Sequence, residues 1–175
     1  MIYVLFGPPG VGKTYLGQLL SRNFDIPFFD ADTLIDAEEQ QLLQNASYDQ
    51  SARDKFVMKL IRQTDTILEH ADGSQNLFIA EAFTKEKNRL EFMEHFGSNV
   101  CYIRVETPLT VARQRSEKRQ KSEKHVVNDR AFDLIWNEFE EPHFLYMAVD
   151  NVHLSDAELV DAFTYLIESS KRGRE

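Results

Sequence analysis

Eight consecutive residues near the start of the chain have the types and spacing of a site that binds phosphate groups. They fit the pattern G-x-x-x-x-G-K-[ST] between a predicted strand and a predicted helix, and are Gly7-Pro8-Pro9-Gly10-Val11-Gly12-Lys13-Thr14. Glycines permit the dihedral angles that turn successive amide N–H groups inward, and the start of a helix adds positive potential. We expect Lys13 to reach the terminal phosphates of a nucleotide and the Thr14 hydroxyl to ligate Mg²⁺. The alternative is an ordinary glycine turn, but the complete pattern in this context favours nucleotide binding.

Two carboxylates, Asp30 and Asp32, follow the second predicted strand. Ligands of parallel sheets bind beyond the carboxyl ends of the strands, so we expect these acids beside the phosphate loop. A carboxylate there could accept a hydrogen bond from a substrate hydroxyl, orient it toward the γ-phosphorus and take its proton. The alternative is that one of the two acids caps the next helix. Together with the loop upstream, the pair favours a catalytic role.

A third acid, Glu81, follows the apolar run Leu77–Ala80. Enzymes with this type of loop commonly hold a carboxylate there, usually Asp, which contacts the metal through water. Glu81 is one methylene longer than Asp, and a solvent-facing strand end is nearly as good an interpretation. We predict that Glu81 joins Thr14 at the magnesium ion.

Residues 113–124 form a basic stretch in an acidic chain. The stretch carries a net charge of +4, from Arg113, Arg115, Lys118, Arg119, Lys121 and Lys124 against Glu117 and Glu123, whereas the whole chain carries −9. Arg115 and Arg119 lie four residues apart and share one face of a helix. Arginines that close over a transferred phosphoryl group stabilise its charge and exclude water, an effect of about 10³–10⁵ in rate. The alternative is a solvated helix face, but the local reversal of charge favours the catalytic interpretation.

Short apolar runs alternate with helical patterns along the chain. The runs suit buried parallel strands and are Ile2–Phe6, Pro27–Phe29, Leu77–Ala80, Val100–Val105 and Leu145–Val149. Apolar residues recur at helical spacing from Val57 to Leu68 and from Phe132 to Phe139. This alternation predicts an α/β fold of three layers, α/β/α, around a five-stranded parallel sheet.

A long helix is predicted around residues 51–70, between the second and third strands. Arg53 and Lys55 lie near its start. They could touch an anionic acceptor, but we favour a solvated helix end for both.

The length of 175 residues, with 42% hydrophobic and 28% charged residues, fits one globular domain. No apolar stretch approaches the roughly 20 residues of a membrane helix, and Gly7–Gly10 interrupts any signal-peptide pattern, so we expect no membrane association. Cys101 is the only cysteine, which excludes an internal disulfide and favours a cytoplasmic location. The net charge of −9 repels long nucleic acid over most of the surface.

The loop at residues 7–14 and the run Phe29-Asp30-Ala31-Asp32 resemble the small P-loop kinases, a group that includes shikimate, gluconate and polynucleotide 5′-hydroxyl kinases. The resemblance implies that Asp30 belongs to the magnesium shell and that Asp32 activates the acceptor hydroxyl. The Gly-Gly-Gly turn of shikimate kinases is replaced here by Glu81-Ala82-Phe83.

Two later segments extend the resemblance. The stretch from Pro108 to Arg119 is similar to the entry of the lid in these kinases, and Arg113 is a candidate for nucleotide binding there. Asp150-Asn151 looks like the end of their last strand, where the next loop borders the adenine, which makes Asn151 a second candidate.

Other nucleotide-binding classes fit the sequence less well. The Asn-Lys-x-Asp guanine reader of GTP-specific switches is missing from the chain. The Pro-Pro-Gly-Val form of the loop is common in AAA+ ATPases, but no run of four apolar residues precedes an Asp-Glu pair. Because little chain is left for a separate helical lid domain, a motor ATPase is disfavoured.

The main hypothesis is an ATP- and Mg²⁺-dependent kinase that phosphorylates a hydroxyl of a small metabolite or nucleoside-like acceptor. One domain would span residues 1–175, with an acceptor-binding segment at 31–72 and a lid at 113–128. Catalysis would rest on Lys13, Asp32, Arg115 and Arg119. Two alternatives stay open: a kinase acting on the 5′-hydroxyl end of a short oligonucleotide, and an ATP-binding or ATPase regulatory protein that is not a kinase.

Overall fold

The computed structural model describes residues 1–70, 76–122 and 127–172. These residues form five strands, Ile2–Phe6 (β1), Phe28–Asp30 (β2), Leu77–Glu81 (β3), Val100–Glu106 (β4) and Met147–Asp150 (β5). Their α-helices are Lys13–Phe24 (α1), Ala37–Gln44 (α2), Gln50–His70 (α3), Glu86–Phe96 (α4), Leu109–Ser122 (α5), Asp129–Glu138 (α6) and Asp156–Arg172 (α7). Within these described ranges, no helix combines the length and the apolar character needed to cross a membrane.

The five strands form one parallel sheet in the order β2-β3-β1-β4-β5. β1 lies at the centre, and all five of its residues are buried. In the register of the sheet Phe6 pairs with Glu81, and Asp30 pairs with Ala80. The carboxyl ends of β1, β2 and β3 therefore meet at one edge, where the phosphate loop begins.

The side chains of β1 alternate between the two faces of the sheet and so divide the core in two. Ile2, Val4 and Phe6 belong to a cluster formed with α3, α4 and α6. Tyr3 and Leu5 belong to a second cluster formed with α1 and α7. Helices cover both faces, which confirms the predicted three-layer α/β/α fold around a five-stranded parallel sheet.

Two predicted boundaries next to β5 are wrong. β5 begins at Met147 rather than Leu145, whose side chain is 96% exposed because its neighbours Phe144 and Tyr146 pack against Phe6. α6 ends at Glu138, and Phe139 leaves the helix to stack on Phe6 with the ring centroids 6.3 Å apart. Aromatic packing around Phe6 decides both boundaries, against the local periodicity.

We expect Gly17→Val to lower the free energy of unfolding by about 1–3 kcal/mol. A Cβ atom on Gly17 would lie 2.2 Å from the ring of Phe28, since α1 packs directly on β2. Urea unfolding measures the loss. The control is Arg22→Val, which places the same side chain at an exposed position of α1. Equal stability of the two variants would contradict the close contact.

Candidate active site

Two glycines of the phosphate loop touch elements from distant parts of the chain. Gly10 has a φ of +82°, and a Cβ atom there would lie 2.2 Å from the Ala112 carbonyl oxygen in α5. Gly12 has a φ of +96°, and its Cβ atom would lie 2.0 Å from the side-chain nitrogen of Asn151. Residues with a side chain are strained at such positive φ values. The loop thus needs glycine for its dihedral angles and for the close approach of its neighbours.

The carbonyl oxygen of Val11 accepts hydrogen bonds from three side chains outside the loop. Asn151 Nδ2 donates to it at 2.8 Å, Thr107 Oγ1 at 3.1 Å and Arg115 Nη1 at 3.4 Å. Arg115 Nη2 also donates to the Asn151 carbonyl oxygen at 3.1 Å. These bonds connect the loop to α5 and to the segment after β5, and they hold its shape.

Asn151, which the resemblance implies as an adenine neighbour, contacts the phosphate loop instead. Its side chain is buried against Val11, and its backbone N–H donates to the Glu106 carbonyl oxygen at 3.1 Å. In this structure Asn151 therefore joins the phosphate loop to the end of β4.

Lys13 begins α1 and bends its side chain back over the loop. Its ammonium group donates to the carbonyl oxygens of Gly7 at 2.8 Å and Pro8 at 3.0 Å. Burial lowers the pKa of Lys13, and the nearby carboxylates of Asp32 and Glu81 oppose that effect. The cation therefore lies where the predicted phosphate tail would be bound, with acids close to it.

The Thr14 hydroxyl and the Asp30 carboxylate are joined directly. Thr14 Oγ1 donates to Asp30 Oδ2 at 2.8 Å, and the other oxygen, Oδ1, accepts from the Asp32 backbone N–H at 3.2 Å. Asp30 thereby caps the short 3₁₀ turn Ala31–Leu34. Asp30 caps the following turn and also lies beside the phosphate loop, as the two predictions for this residue stated. The Asp32 side chain is exposed and lines the cavity.

Glu81 lies at the end of β3, facing the same cavity as Asp32. Burial and then the neighbouring Asp32 carboxylate raise the pKa of Glu81 to about 7, although a hydrogen bond from the Phe83 backbone N–H, 3.1 Å long, opposes the rise. Glu81 is therefore protonated more readily than an exposed glutamate.

A fully buried arginine, Arg89, fixes the turn that follows Glu81. Its Nε donates to the Phe83 carbonyl oxygen at 2.7 Å and its Nη2 to that of Thr84 at 3.1 Å and to that of Glu140. Phe83 has a φ of +45°, an uncommon value for a bulky residue. Arg89 thus stabilises the strained backbone that places the Phe83 N–H against Glu81.

The oxygen atoms of Thr14, Asp30 and Glu81 form a donor set that suits Mg²⁺. That ion takes oxygen ligands, usually one or two carboxylates together with waters and phosphates of the substrate. In the described parts of the chain, no group of three or more His, Cys, Asp or Glu residues could hold a metal ion alone. Two carboxylates and one hydroxyl would leave several positions around such an ion to other ligands.

Among the arginines of α5, Arg115 and Arg119 line the cavity, as predicted from their shared helix face. Arg113 turns away from it: its Nη2 lies 2.5 Å from Asp133 Oδ1, and its guanidinium lies 4.6 Å from the centroid of Phe132. In place of the predicted nucleotide contact, the structure gives Arg113 the role of holding α5 against α6. The predicted lid, 113–128, includes residues 123–126, which lie outside the described residues, as do residues 71–72 of the predicted acceptor segment.

One cavity of about 580 Å³ joins the loop, the carboxylates and the two arginines. The same cavity is also lined by a further set of residues that we call the inner chamber: Ile35, Leu43, Tyr48, Arg53, Phe56, Val57, Phe83, Thr84, Asn88, Val127 and Ile135. They come from α2, α3, α4 and α6, from the segments on either side of α2 and from those that follow β3 and precede α6. The sequence had not indicated most of them, since apolar residues at helical spacing predict only a core.

The solvated helix end predicted for Arg53 is wrong, whereas Lys55 is exposed as expected. Arg53 is 6% exposed, its Nη2 donates to Glu138 Oε2 at 2.7 Å, and its guanidinium lies 5.3 Å from the centroid of Tyr48. Its Nε has no acceptor among the described residues. The position three residues before Phe56, on the apolar face of α3, is the signal that could have identified it.

Comparisons with known proteins agree with this geometry. A protein-family profile described as "AAA domain" matches residues 2–142, a range that includes the phosphate loop, the three carboxylates and α5. A shikimate kinase from Rhodococcus jostii (strain RHA1) is 46% identical over 35 residues, so the match spans about a fifth of each chain, 20% of this one and 21% of that protein.

Several solved structures share the fold. A sugar kinase from Janibacter sp. HTCC2649 has a TM-score of 0.75 at 22% identity, covering 94% of this chain and 93% of that chain. A gluconokinase from Sinorhizobium meliloti 1021 has a TM-score of 0.74 at 16% identity, covering 99% and 97%. A shikimate kinase from Acinetobacter baumannii, in complex with shikimate, has a TM-score of 0.63 at 16% identity, covering 97% and 94%. These likenesses confirm the fold expected from the resemblance to small P-loop kinases.

We expect Glu81→Gln to become more stable relative to the wild type as pH rises, by about 2–3 kcal/mol between about pH 5 and pH 8. The pKa of Glu81 is raised from 4.5 to about 7 in the folded protein. The folded state therefore binds more protons than the unfolded state between these values, and wild-type stability falls through that window. Urea unfolding in metal-free buffer measures the difference.

The control is Glu94→Gln, an exposed substitution on α4. If the difference in unfolding free energy between Glu81→Gln and the wild type stayed constant across the pH range, it would contradict the raised pKa of Glu81.

Proposed function

Because the chain belongs to the protein family described as AAA domain and has the fold of small P-loop kinases, we propose that it transfers the γ-phosphoryl group of ATP to a hydroxyl of a small-molecule acceptor. The supporting observation is the continuity of one cavity, which runs from the phosphate loop past Asp30, Asp32 and Glu81 into the inner chamber. A protein that only hydrolyses ATP has no need of such space for a second organic substrate.

The phosphate loop would bind the β- and γ-phosphates of ATP through its amide groups and the start of α1. Lys13 already lies over the loop, and its ammonium group would exchange the carbonyl oxygens of Gly7 and Pro8 for phosphate oxygens. The bonds to the Val11 carbonyl keep the loop in shape, so little reorganisation accompanies binding.

Thr14, Asp30 and Glu81 would hold Mg²⁺, which neutralises phosphate charge and orients the γ-phosphoryl group when bound. The direct bond from Thr14 to Asp30 aligns two of these donors in advance. Burial and the neighbouring Asp32 carboxylate raise the pKa of Glu81, and a bound cation would lower it again because it would stabilise the ionised carboxylate.

Asp32 would accept the hydrogen bond of the acceptor hydroxyl and take its proton as the bond to phosphorus forms. The proposal is supported by the position of Asp32, which lies in the 3₁₀ turn that Asp30 caps and lines the cavity together with Lys13 and Glu81. Arg115 and Arg119 face the same cavity from α5, where they would stabilise the charge of the transferred group and exclude water.

An acceptor screen tests the proposal directly. The protein is incubated with ATP, Mg²⁺ and a library of hydroxyl compounds, and mass spectrometry detects products that gain one phosphoryl group. We expect transfer that requires both ATP and Mg²⁺. ATP turnover at the same rate with and without every acceptor would overturn the proposal.

We expect Asp32→Asn to lower kcat by about 10²–10⁴-fold while ATP still binds, because the amide cannot take the hydroxyl proton. Calorimetry measures ATP binding, and a coupled ADP-release assay measures turnover. The matched control is Asp25→Asn at the end of α1, where asparagine tolerates the left-handed backbone with φ 53°. Full turnover by Asp32→Asn would refute the assignment of the base.

We expect Arg119→Gln to lower kcat by a factor on the order of 10³, since it removes a cation from the transferred group. The effect should fall on kcat more than on KM for ATP, because the charge develops in the transition state. Lys118→Gln changes the same charge at the neighbouring exposed position, outside the cavity lining. Equal losses for the two variants would contradict a specific role for Arg119.

A further inference from the structure

The inner chamber has a strongly apolar wall. Leu43, Phe56, Val57, Val127 and Ile135 line it and are each at most 7% exposed, and Ile35 lines it as a half-buried residue near its entrance from Asp32. Phe83 adds a ring that is 2% exposed. An acceptor held against this wall loses water on most of its surface.

The polar side chains of the chamber are largely engaged with the protein. Asn88 Oδ1 accepts from Gln50 Nε2 at 3.0 Å, and its Nδ2 donates to Asp54 Oδ1 at 2.9 Å. Arg53 is paired with Glu138 and stacked on Tyr48. Besides Asn88, the Tyr48 and Thr84 hydroxyls and the remaining N–H groups of Arg53 add polar contacts on this part of the described wall, and Ser116 Oγ, which has no hydrogen-bond partner among the described residues, lines the cavity beside the arginines of α5.

This wall discriminates between classes of hydroxyl compound. A polyhydroxylated acid would bring several hydroxyl groups against a wall that offers only a few polar partners, and each buried hydroxyl left unpaired weakens binding. An apolar or aromatic body has no such groups, and it gains from burial against leucine, valine and phenylalanine side chains. Polar contacts are then needed at two places, the reacting hydroxyl beside Asp32 and one oxygen atom near Arg53.

We propose that the acceptor is an alcohol with an apolar, preferably aromatic, body rather than a sugar acid or another polyol. This inference rests on the proposed phosphoryl transfer and names its substrate class. It separates the chain from the gluconokinase and the shikimate kinase whose fold it shares. The fold is held in common, whereas the chamber wall is a property of this chain's own side chains.

A competition between acceptors tests the inference. Benzyl alcohol and para-hydroxymethylbenzoate represent the aromatic class, and gluconate and shikimate represent the polyols. We expect kcat/KM with ATP to favour an aromatic alcohol by about tenfold or more, the scale of discrimination that an apolar pocket achieves. A kcat/KM for either polyol equal to or above that of both aromatic compounds would overturn the inference.

A pair of variants tests whether the wall causes the preference. Ile35→Asn places an amide on the chamber wall, and we expect it to raise KM for the aromatic alcohol about tenfold with little change in kcat. Leu34→Asn is the matched control, because Leu34 is also half-buried but lies outside the cavity lining. An unchanged ratio of aromatic to polyol kcat/KM in Ile35→Asn would contradict the role of the wall.

Binding measured without turnover distinguishes a failure of the proposed phosphoryl transfer from a failure of the inferred acceptor class. Calorimetry with ADP and Mg²⁺ present records whether each acceptor binds the wild-type protein. If aromatic alcohols bind more tightly than polyols but no acceptor is phosphorylated, the proposed function fails while the chamber's preference stands. If polyols bind as tightly or more tightly, or if no aromatic alcohol binds, the inference fails whatever the turnover.

Discussion

The Val11 carbonyl oxygen is a point at which the phosphate loop is attached to several distant parts of the molecule at once. A carbonyl has two lone pairs, and here three donors from distant parts of the chain, Asn151, Thr107 and Arg115, converge on it. These bonds engage Val11 just before the positive-φ residue Gly12. Because α5 also supplies the arginines of the cavity, the same contacts couple the shape of the loop to the position of Arg115.

The sheet order brings the acids to this loop. β3 lies between β1 and β2, so Asp30 and Glu81 follow adjacent strands although 51 positions separate them in the chain. No local interaction could gather these carboxylates, and burial, followed by the charge of Asp32, raises the pKa of Glu81. Their proximity is sustained by the apolar core of the sheet and by Lys13.

The sequence predicted the features that depend on local geometry. The phosphate loop and the carboxylates at strand ends follow from dihedral freedom, hydrophobic periodicity and the parallel arrangement, and for that reason Lys13, Thr14 and Asp30 lie together as expected. The inner chamber could not be predicted in the same way. Phe56 and Val57 have the pattern of ordinary core residues, and only the tertiary structure, in which α3 and α6 both border the cavity, shows that a space remains beside them. Arg113 and Arg115 differ in role because they lie two positions apart and therefore on different faces of α5. Their spacing alone does not show which of these faces meets α6.

Lys13 gives the unliganded loop an internal counter-charge. Its ammonium group satisfies two carbonyl oxygens of the loop itself, so an incoming anion must displace bonds that are already made. The net free energy of binding is then a difference between the contacts that Lys13 makes with the anion and those that it makes with the loop. It becomes more favourable as the charge of the anion increases. Under the proposed function, a triphosphate tail would gain more from such an exchange than a single phosphate group, because it brings more negative charge to the cation. The position of Lys13 over its own loop would then favour long phosphate tails.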